Sequence, residues 1–222
     1  MTPAASSIVD WGAIDTVLVD MDGTLLDLNF DTFFWRELVP QRYASLHNLT
    51  VPVAQAALAP RFEAKVGTLE WYCLDHWARD LGLDLKALKR EHCERIRFLP
   101  GAPEFLASVR ARGKRLSIVT NAHRDTFAVK AERTGIDLLV DSVVCSHDLA
   151  APKESAAFWE ALEKHESFAP SRTLLIEDSV SVLAAARSYG IRHTLVIRRP
   201  DSQLPARAIV DFLGVDGVHE LI

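Results

Sequence analysis

Residues 17–27 read VLVDMDGTLLD. Val17, Leu18 and Val19 are apolar without alternation, the pattern of a strand buried on both faces. The run stops at Asp20, and a second carboxylate, Asp22, stands two positions on, ahead of Gly23 and Thr24. An unpaired carboxylate is expensive to bury, so a chain that needed only a strand would not end it this way. Taken alone, Asp22 before Gly23 would be a turn former facing water. The alternative is that the two aspartates were placed together at a strand tip to do chemistry.

Working outward, four further runs share that apolar, barely alternating character: RLSIV (115–119), LLVDSVV (138–144), TLLI (173–176) and HTLVI (193–197), beside TVLV (16–19) itself. Helical stretches separate the later ones. PEFLASVRAR (103–112), the stretch through Lys130 and Arg133, and SVLAAARSY (181–189) each run into a glycine, Gly113, Gly135 and Gly190, the usual left-handed stop. Strand and helix in alternation predict an α/β fold, a Rossmann-like doubly wound parallel sheet covered on both faces.

One connection breaks that rhythm. Residues 28–98 contain no strand-like run but several amphipathic helical ones, such as FFWRELVPQRYASLH and TLEWYCLDHWARDLG, and they hold Trp35, Trp71 and Trp77. The pattern predicts an all-helical cap domain over 28–98 inserted into an α/β core formed by 1–27 and 99–222. FLPGAP (98–103), rich in proline and glycine, marks the return to the core. Together with residues 24–28 it is the expected hinge.

Composition excludes several classes. The 222 residues carry a formal net charge of −5, with 49% hydrophobic content. That balance offers no long-range attraction for nucleic acid polymers or anionic membranes. The basic stretch LKALKREHCERIR (85–97) reads as a solvated helix face. Cys73, Cys93 and Cys145 are odd in number and include no CxxC, so they signal neither zinc nor disulfides and suit a reducing cytoplasm. The start, MTPAASSIVDW, lacks the basic and apolar parts of a signal peptide. No apolar run approaches the roughly 18 residues of a membrane span. The expectation is a soluble, cytoplasmic protein.

The strand ends carry the chemistry. The first ends in Asp20-Met21-Asp22-Gly23-Thr24, the second in Thr120-Asn121, and the fourth in Glu177-Asp178-Ser179. Ligands of open parallel sheets bind beyond the carboxyl ends of the strands, where strand order reverses. Four carboxylates converging there raise one another's pKa unless a cation intervenes. A divalent ion and Lys153, in APKES, would be the remedies. Hard oxygen ligands without a histidine or cysteine cluster favour Mg2+ over zinc. Thr120 offers a hydroxyl, Asn121 an amide and Lys153 a cation, all suited to phosphate. The set points to phosphoryl transfer.

DMDGT, TN, K and ED, in that order on those elements, resemble the haloacid dehalogenase-like hydrolase superfamily, and the resemblance spans the whole chain, helical cap included. It implies that Asp20 is the nucleophile and takes the phosphoryl group as an aspartyl phosphate. It implies that Asp22 protonates the leaving oxygen and then activates water. Thr120, Lys153 and the Asn121 backbone N–H would hold the phosphoryl oxygens. Magnesium would be bound by Asp20, the Asp22 carbonyl and Asp178, with Glu177 adjacent or acting through water. Members with glycine before that last aspartate place an acid four residues after it. Here that position is Val182, which leaves Glu177 as the partner. DMDGTLLDLNFDTFFWRELVP, TLEWYCLDHWARDLGLD, TNAHRDTFAVKAERTGID and PKESAAFW further resemble the bacterial GMP/IMP nucleotidases, implying hydrolysis of purine nucleoside 5′-monophosphates. Trp71, Tyr72 and Trp35 are the aromatic residues that could stack on a purine, although for any one of them packing the cap's own core is the plainer reading.

Other residues have plainer readings. Thr120 and Ser179 could cap helices, Lys153 could be a surface lysine, and Asp27 and Asp31 read as helix-entry residues. His123 and His147 have no partner at metal spacing, and RRPDSQ (198–203) reads as a surface turn. Among rival functions, a sugar phosphomutase shares this core and the ED ending. Haloalkanoate dehalogenases and phosphonate hydrolases lack an acid at the place of Asp22. A phosphorylatable receiver module would put its acid pair before the accepting aspartate and would carry no cap. Nothing in the sequence sets an oligomeric state.

Overall fold

The structure, a computed structural model, describes residues 8–222. Residues 1–7, part of the stretch read against a signal peptide, lie outside the described residues. The chain runs through β1 (Thr16–Val19) into α1 (Asn29–Phe33), α2 (Val39–His47), α3 (Val51–Glu63), α4 (Leu69–Tyr72), α5 (Leu74–Leu81) and α6 (Leu85–Glu91). It continues through α7 (Ala102–Ala111), β2 (Arg115–Thr120), α8 (Arg124–Thr134), β3 (Ser142–Cys145) and α9 (Ala156–Glu166). β4 (Thr173–Glu177), α10 (Val180–Tyr189), β5 (His193–Ile197) and β6 (Gly214–Val215) complete it. No helix among the described residues is long and apolar enough to cross a membrane.

All strands pair in parallel, in the order β3-β2-β1-β4-β5-β6. This is the expected α/β, Rossmann-like doubly wound sheet. The apolar run of β1 explains its central place. Val17 and Val19 join one core with Phe105 and Leu106 of α7 and Phe127 of α8, while Leu18 joins another with Phe158 and Trp159 of α9 and Leu183 of α10. Each such fully buried side chain contributes about 1.5–3 kcal/mol, so both faces must be covered. Order reverses at β1, which has β2 on one side and β4 on the other. The crevice beyond β1 and β4 is therefore where a ligand is expected.

Two sequence expectations need correction. The run LLVDSVV is strand only from Ser142; Ile136–Leu139 form a 3-10 turn in which Leu138 is exposed. Asp141 explains the late start: its N–H donates to the Leu116 carbonyl and its carboxylate accepts from the Leu116 N–H, both at 2.8 Å. The segment 198–203 turns as expected but is no mere surface loop, because Pro200 and Asp201 are buried. Asp201 accepts from Asn29 Nδ2 and Thr32 Oγ1, each at 3.3 Å, and Ser202 donates twice to Asp27. That loop grips the start of α1, and Asp27 takes its helix-entry role there. β6 is two residues long, with no apolar run to announce it.

Residues 29–95 hold helices only, with a cluster of their own that includes Phe34, Leu38, Leu58, Trp77, Leu81 and Leu85. Between α1 and α2 the helix widens into a π turn over Phe34–Leu38. Pro40 lacks the N–H a regular ladder would use there, and the wider turn absorbs the loss. The chain leaves β1 and returns from the helices side by side. Leu26 bridges Phe98, Asp27 N–H donates to the Arg97 carbonyl at 3.0 Å, and Leu99 N–H to that of Leu25 at 2.8 Å.

Candidate active site

Asp20 follows the last residue of β1, and its N–H donates to the Ile176 carbonyl at 2.9 Å. Val19 pairs with Ile118 and Ile176, so the register sets Asp20 level with Val119 and Glu177. Lys153 reaches them from the loop before α9. Its Nζ donates to Asp20 Oδ1 at 2.5 Å, Glu177 Oε2 at 2.6 Å and the Val119 carbonyl at 3.0 Å. The loop is pinned because Lys153 N–H donates to Asn121 Oδ1 and its carbonyl accepts from Trp159 Nε1. Glu177 spends its other oxygen on the N–H groups of Asp178 and Ser179, both at 3.0 Å, and Ser179 caps α10. Gly23 turns the chain at φ +86°, where a Cβ would lie 2.8 Å from Pro200 Cβ and 3.0 Å from Asp178 Cγ. Only glycine fits between the first acid pair and the second.

Asp20, Glu177 and Asp178 each bring a carboxylate oxygen to within 4.8 Å of the others. Burial, reinforced by the Glu177 charge, pushes Asp20 up to about 8. Burial likewise raises Glu177 to about 7, and burial with the Asp20 charge raises Asp178 to about 7. Burial works against the Lys153 charge, but Asp20 and Glu177 outweigh it and raise its pKa. Arg207 stands at the rim, 3.5 Å from Asp178. Buried Asp20 and Glu177 and half-buried Asp178, facing one buried lysine and Arg207 at the rim, leave one negative charge uncompensated when ionised, an all-oxygen set that fits a hard divalent cation.

Asp22 belongs to a different cluster. Its Oδ1 accepts from Lys130 Nζ at 2.5 Å, Lys130 also donates to Asp31 Oδ2 at 2.5 Å, and Lys89 donates to Asp31 Oδ1 at 2.9 Å. Lys89 is 1% exposed, with its ammonium 4.1 Å from the centroid of the Phe34 ring. Burial raises the Asp22 pKa despite Lys130, with Asp31 adding to the rise. Asp31 is held well below the usual carboxylate range: burial opposes this, and Lys130 and Lys89 prevail. Asp31 is thus more than a helix-entry residue, and the stretch 85–97 is not wholly a solvated face. The missed lysines carried a signal. Lys89 lies four residues after Leu85 and Lys130 three after Phe127, on the buried faces of their helices.

A cavity of about 270 Å³ opens onto both clusters. Asp20, Asp22, Thr120, Asn121, Lys153, Glu177 and Asp178 line it together with Trp35, Trp71, Tyr72 and Phe62. Thr120 is buried and its Oγ1 accepts from the Ala122 N–H at 3.0 Å; the cap of α8 is His123 instead. The Asn121 side chain is committed to Lys153 N–H and to Glu154 Oε2, and its carbonyl accepts from Ser146 Oγ at 3.2 Å, which leaves its backbone N–H for a ligand. Trp71 and Trp35 both face the cavity and pack edge-on against Phe62 and Trp77, so the two sequence readings of these rings are compatible. Tyr72 donates to Glu154 Oε1 at 2.6 Å, tying the helical insert to the residue after Lys153. His123 and His147, unpaired in sequence, stand with ring centroids 4.8 Å apart.

A doubly wound parallel sheet with its acids and lysine at the β1/β4 crevice defines a class of hydrolase. The chain belongs to the haloacid dehalogenase-like hydrolases, whose family model matches residues 14–190. It is 40% identical over 194 residues to the GMP/IMP nucleotidase YrfG of Escherichia coli, covering 87% of each chain. It is 30% identical over 207 residues to a phosphoglycolate phosphatase of Nitrosococcus oceani, covering 85% of this chain and 91% of that one. The crystal structure of a HAD phosphatase from Thermococcus onnurineus superposes with a TM-score of 0.79 at 19% identity, covering 94% of this chain and 96% of the other. The protein is a phosphatase enzyme of this family.

Proposed function

We propose that the protein hydrolyses purine nucleoside 5′-monophosphates to nucleoside and phosphate through a phosphoryl group carried on Asp20, with magnesium as cofactor. The observation that carries the reading is the trio of buried Asp20 and Glu177 with half-buried Asp178, gathered with Lys153 on the cavity wall. Asp20, the Asp22 carbonyl and Asp178 would hold the ion, with Glu177 adjacent or acting through water. The ion would supply the counter-charge that lets Asp20 ionise and phosphate approach.

Asp20 attacks phosphorus, and the bond to the nucleoside oxygen breaks as that oxygen takes a proton from Asp22. The raised pKa of Asp22 suits an acid that must hold its proton until then. Asp22 next takes a proton from water, whose oxygen attacks phosphorus and releases Asp20. Lys153 and the Thr120 hydroxyl orient the phosphoryl oxygens, joined by the Asn121 N–H. Residues 28–98 act as a cap over a core of residues 1–27 and 99–222. The paired connections near Leu26 and Phe98 are its hinge, which opens to admit substrate and closes to exclude water.

The purine assignment rests on the 40% identical GMP/IMP nucleotidase and on the rings of Trp35, Trp71 and Tyr72 in the cavity lining. Three free thiols among the described residues fit a reducing cytoplasm. A second reading, a small carboxylated phosphate ester, is favoured by the 30% identical phosphoglycolate phosphatase. A phosphate-release screen with magnesium over nucleotides, sugar phosphates and phosphoglycolate separates the two. GMP and IMP should give the highest kcat/KM; preference for phosphoglycolate would replace the purine reading, and no turnover on any ester would end both.

A further inference from the structure

Glu154 follows Lys153 in the loop before α9 and is not among the residues that line the cavity. A carboxylate set beside groups meant for an anion repels that anion, so its presence calls for an offsetting role. Both of its oxygens are spent. Oε1 accepts from the Tyr72 hydroxyl at 2.6 Å, and Oε2 accepts from Asn121 Nδ2 at 3.0 Å. Asn121 Oδ1 in turn accepts from the Lys153 N–H at 2.9 Å. One chain of bonds therefore runs from the helical insert, through Glu154, to the two residues placed at the phosphoryl oxygens.

The direction of that chain is fixed by donor and acceptor identity. The Lys153 N–H requires the oxygen of the Asn121 amide, so the amide nitrogen must find an acceptor on its other side, and Glu154 is that acceptor. Asn121 is 7% exposed, and its carbonyl is held by Ser146 Oγ at 3.2 Å. Removing Glu154 strands a buried donor and frees the amide to turn, which loosens the segment that presents the Asn121 N–H. Tyr72 is itself well supported. It ends α4, whose cap Thr68 accepts from the Trp71 N–H, and the Trp71 carbonyl accepts from buried Trp77 Nε1 at 2.9 Å.

Other bonds across the same boundary end elsewhere. Lys86 pairs with Asp125 and Arg90 with Glu132, the second pair exposed and 2.8 Å apart, and all four groups lie on α6 or α8. Asp31 meets Lys130 and, through it, Asp22.

We propose that Glu154 is a positioning residue for the phosphoryl-binding pair Asn121 and Lys153, and that the Tyr72 hydroxyl holds it in that role from the insert. The inference rests on the reading that the Asn121 N–H and Lys153 hold phosphoryl oxygens. Glu154 touches no substrate atom and acts by fixing the groups that do. The phosphoryl group is common to every ester, so losing Glu154 weakens all substrates alike, unlike losing a ring that meets the base.

Inhibition of p-nitrophenyl phosphate turnover by inorganic phosphate, with magnesium in excess, tests this. Competitive inhibition of the wild type supports the phosphoryl site; its absence would remove that reading and the proposal with it. Glu154→Ala should raise the phosphate Ki about tenfold, the size of one hydrogen bond to a charged group, and lower kcat/KM equally for inosine monophosphate and p-nitrophenyl phosphate. Glu154→Gln should stay within about twofold of the wild type, its Oε1 accepting from Asn121 and its Nε2 donating to the Tyr72 hydroxyl oxygen. Tyr72→Phe keeps the ring and should raise the Ki about threefold, and adding it to Glu154→Ala should cost nothing further. Arg90→Ala, which cuts a boundary ion pair remote from the loop, should leave the Ki unchanged. A fall in kcat at unchanged Ki in Glu154→Ala would mark a merely structural role and overturn this proposal alone. So would a Glu154→Gln as impaired as Glu154→Ala, additive losses on combining Tyr72→Phe with Glu154→Ala, or an equal rise in Ki in Arg90→Ala.

Discussion

The carboxylates of Asp20 and Asp22 leave the same strand tip and enter different company. Asp20 joins Glu177, Asp178 and a single buried lysine, with Arg207 beside Asp178 at the rim, a set short of one positive charge. Asp22 joins Asp31 and two lysines, Lys130 and Lys89, a set that balances within the protein. Each cluster joins buried groups to half-buried ones (Asp178 in the first, Asp22 and Asp31 in the second), and ions so shielded are tolerated only when compensated. The balanced cluster needs nothing from outside and can hold an acid in place between insert and sheet. The unbalanced one is built for charges that arrive with cofactor and substrate. Charge balance thus distinguishes a positioning network from a reaction centre, where burial alone does not.

Removing one member on the balanced side should have the largest kinetic effect. Asp22→Asn keeps the shape but not the proton, and kcat is expected to fall by about 10²–10⁴ with the circular dichroism spectrum unchanged. Retention of wild-type rates would remove Asp22 from acid–base duty. Lys130→Met leaves Asp22 and Asp31 sharing Lys89, and urea unfolding should show a loss of about 3–5 kcal/mol. A loss below about 1 kcal/mol, the range of an exposed pair, would erase the distinction between the two clusters. Among the rings lining the cavity, Trp71→Ala and Tyr72→Ala should each lower kcat/KM for inosine monophosphate by about 1–3 kcal/mol of stacking, with smaller effects on p-nitrophenyl phosphate. Unchanged values in both would take those rings out of the substrate's path.

The smallest effect concerns pH. Asp20, Glu177 and Asp178 have folded-state pKa values raised to about 8, 7 and 7 from ordinary values near 4. A raised carboxyl pKa contributes stability below the unfolded value, and that contribution is lost as pH climbs through 7–8. Metal-free protein should therefore lose Tm between pH 5 and 8.5, and magnesium, which favours the ionised carboxylates, should return more of it at the upper end. A magnesium increment in Tm that shrinks with rising pH would contradict the unbalanced cluster.

These two clusters were not equally legible in the sequence. The unbalanced one sits on strand tips, where an apolar run breaks abruptly at Asp20 or Glu177-Asp178, and parallel register then brings such breaks together. Helical residues give no such break. Lys89 and Lys130 look like ordinary surface lysines until their spacing from Leu85 and Phe127 is counted, and their partner Asp31 is close only in space. The sheet was readable because its strands are buried on both faces; β3 was overextended because Leu138 and Leu139 are apolar yet sit in a turn outside the ladder. Tyr72, Asn121 and Glu154 lie on three separate segments, and only the folded chain brings them together. The grip of residues 198–203 on α1 is likewise a long-range contact without a local pattern.

The central claim is that Asp20 carries the phosphoryl group. Quenching the magnesium-loaded enzyme during turnover and reducing it with borohydride converts an aspartyl phosphate to homoserine, which peptide mass spectrometry can locate. Homoserine at position 20, absent without substrate, is the result the account predicts. Steady turnover with no modification at Asp20, or with modification at Asp22 or Asp178 in its place, would contradict it.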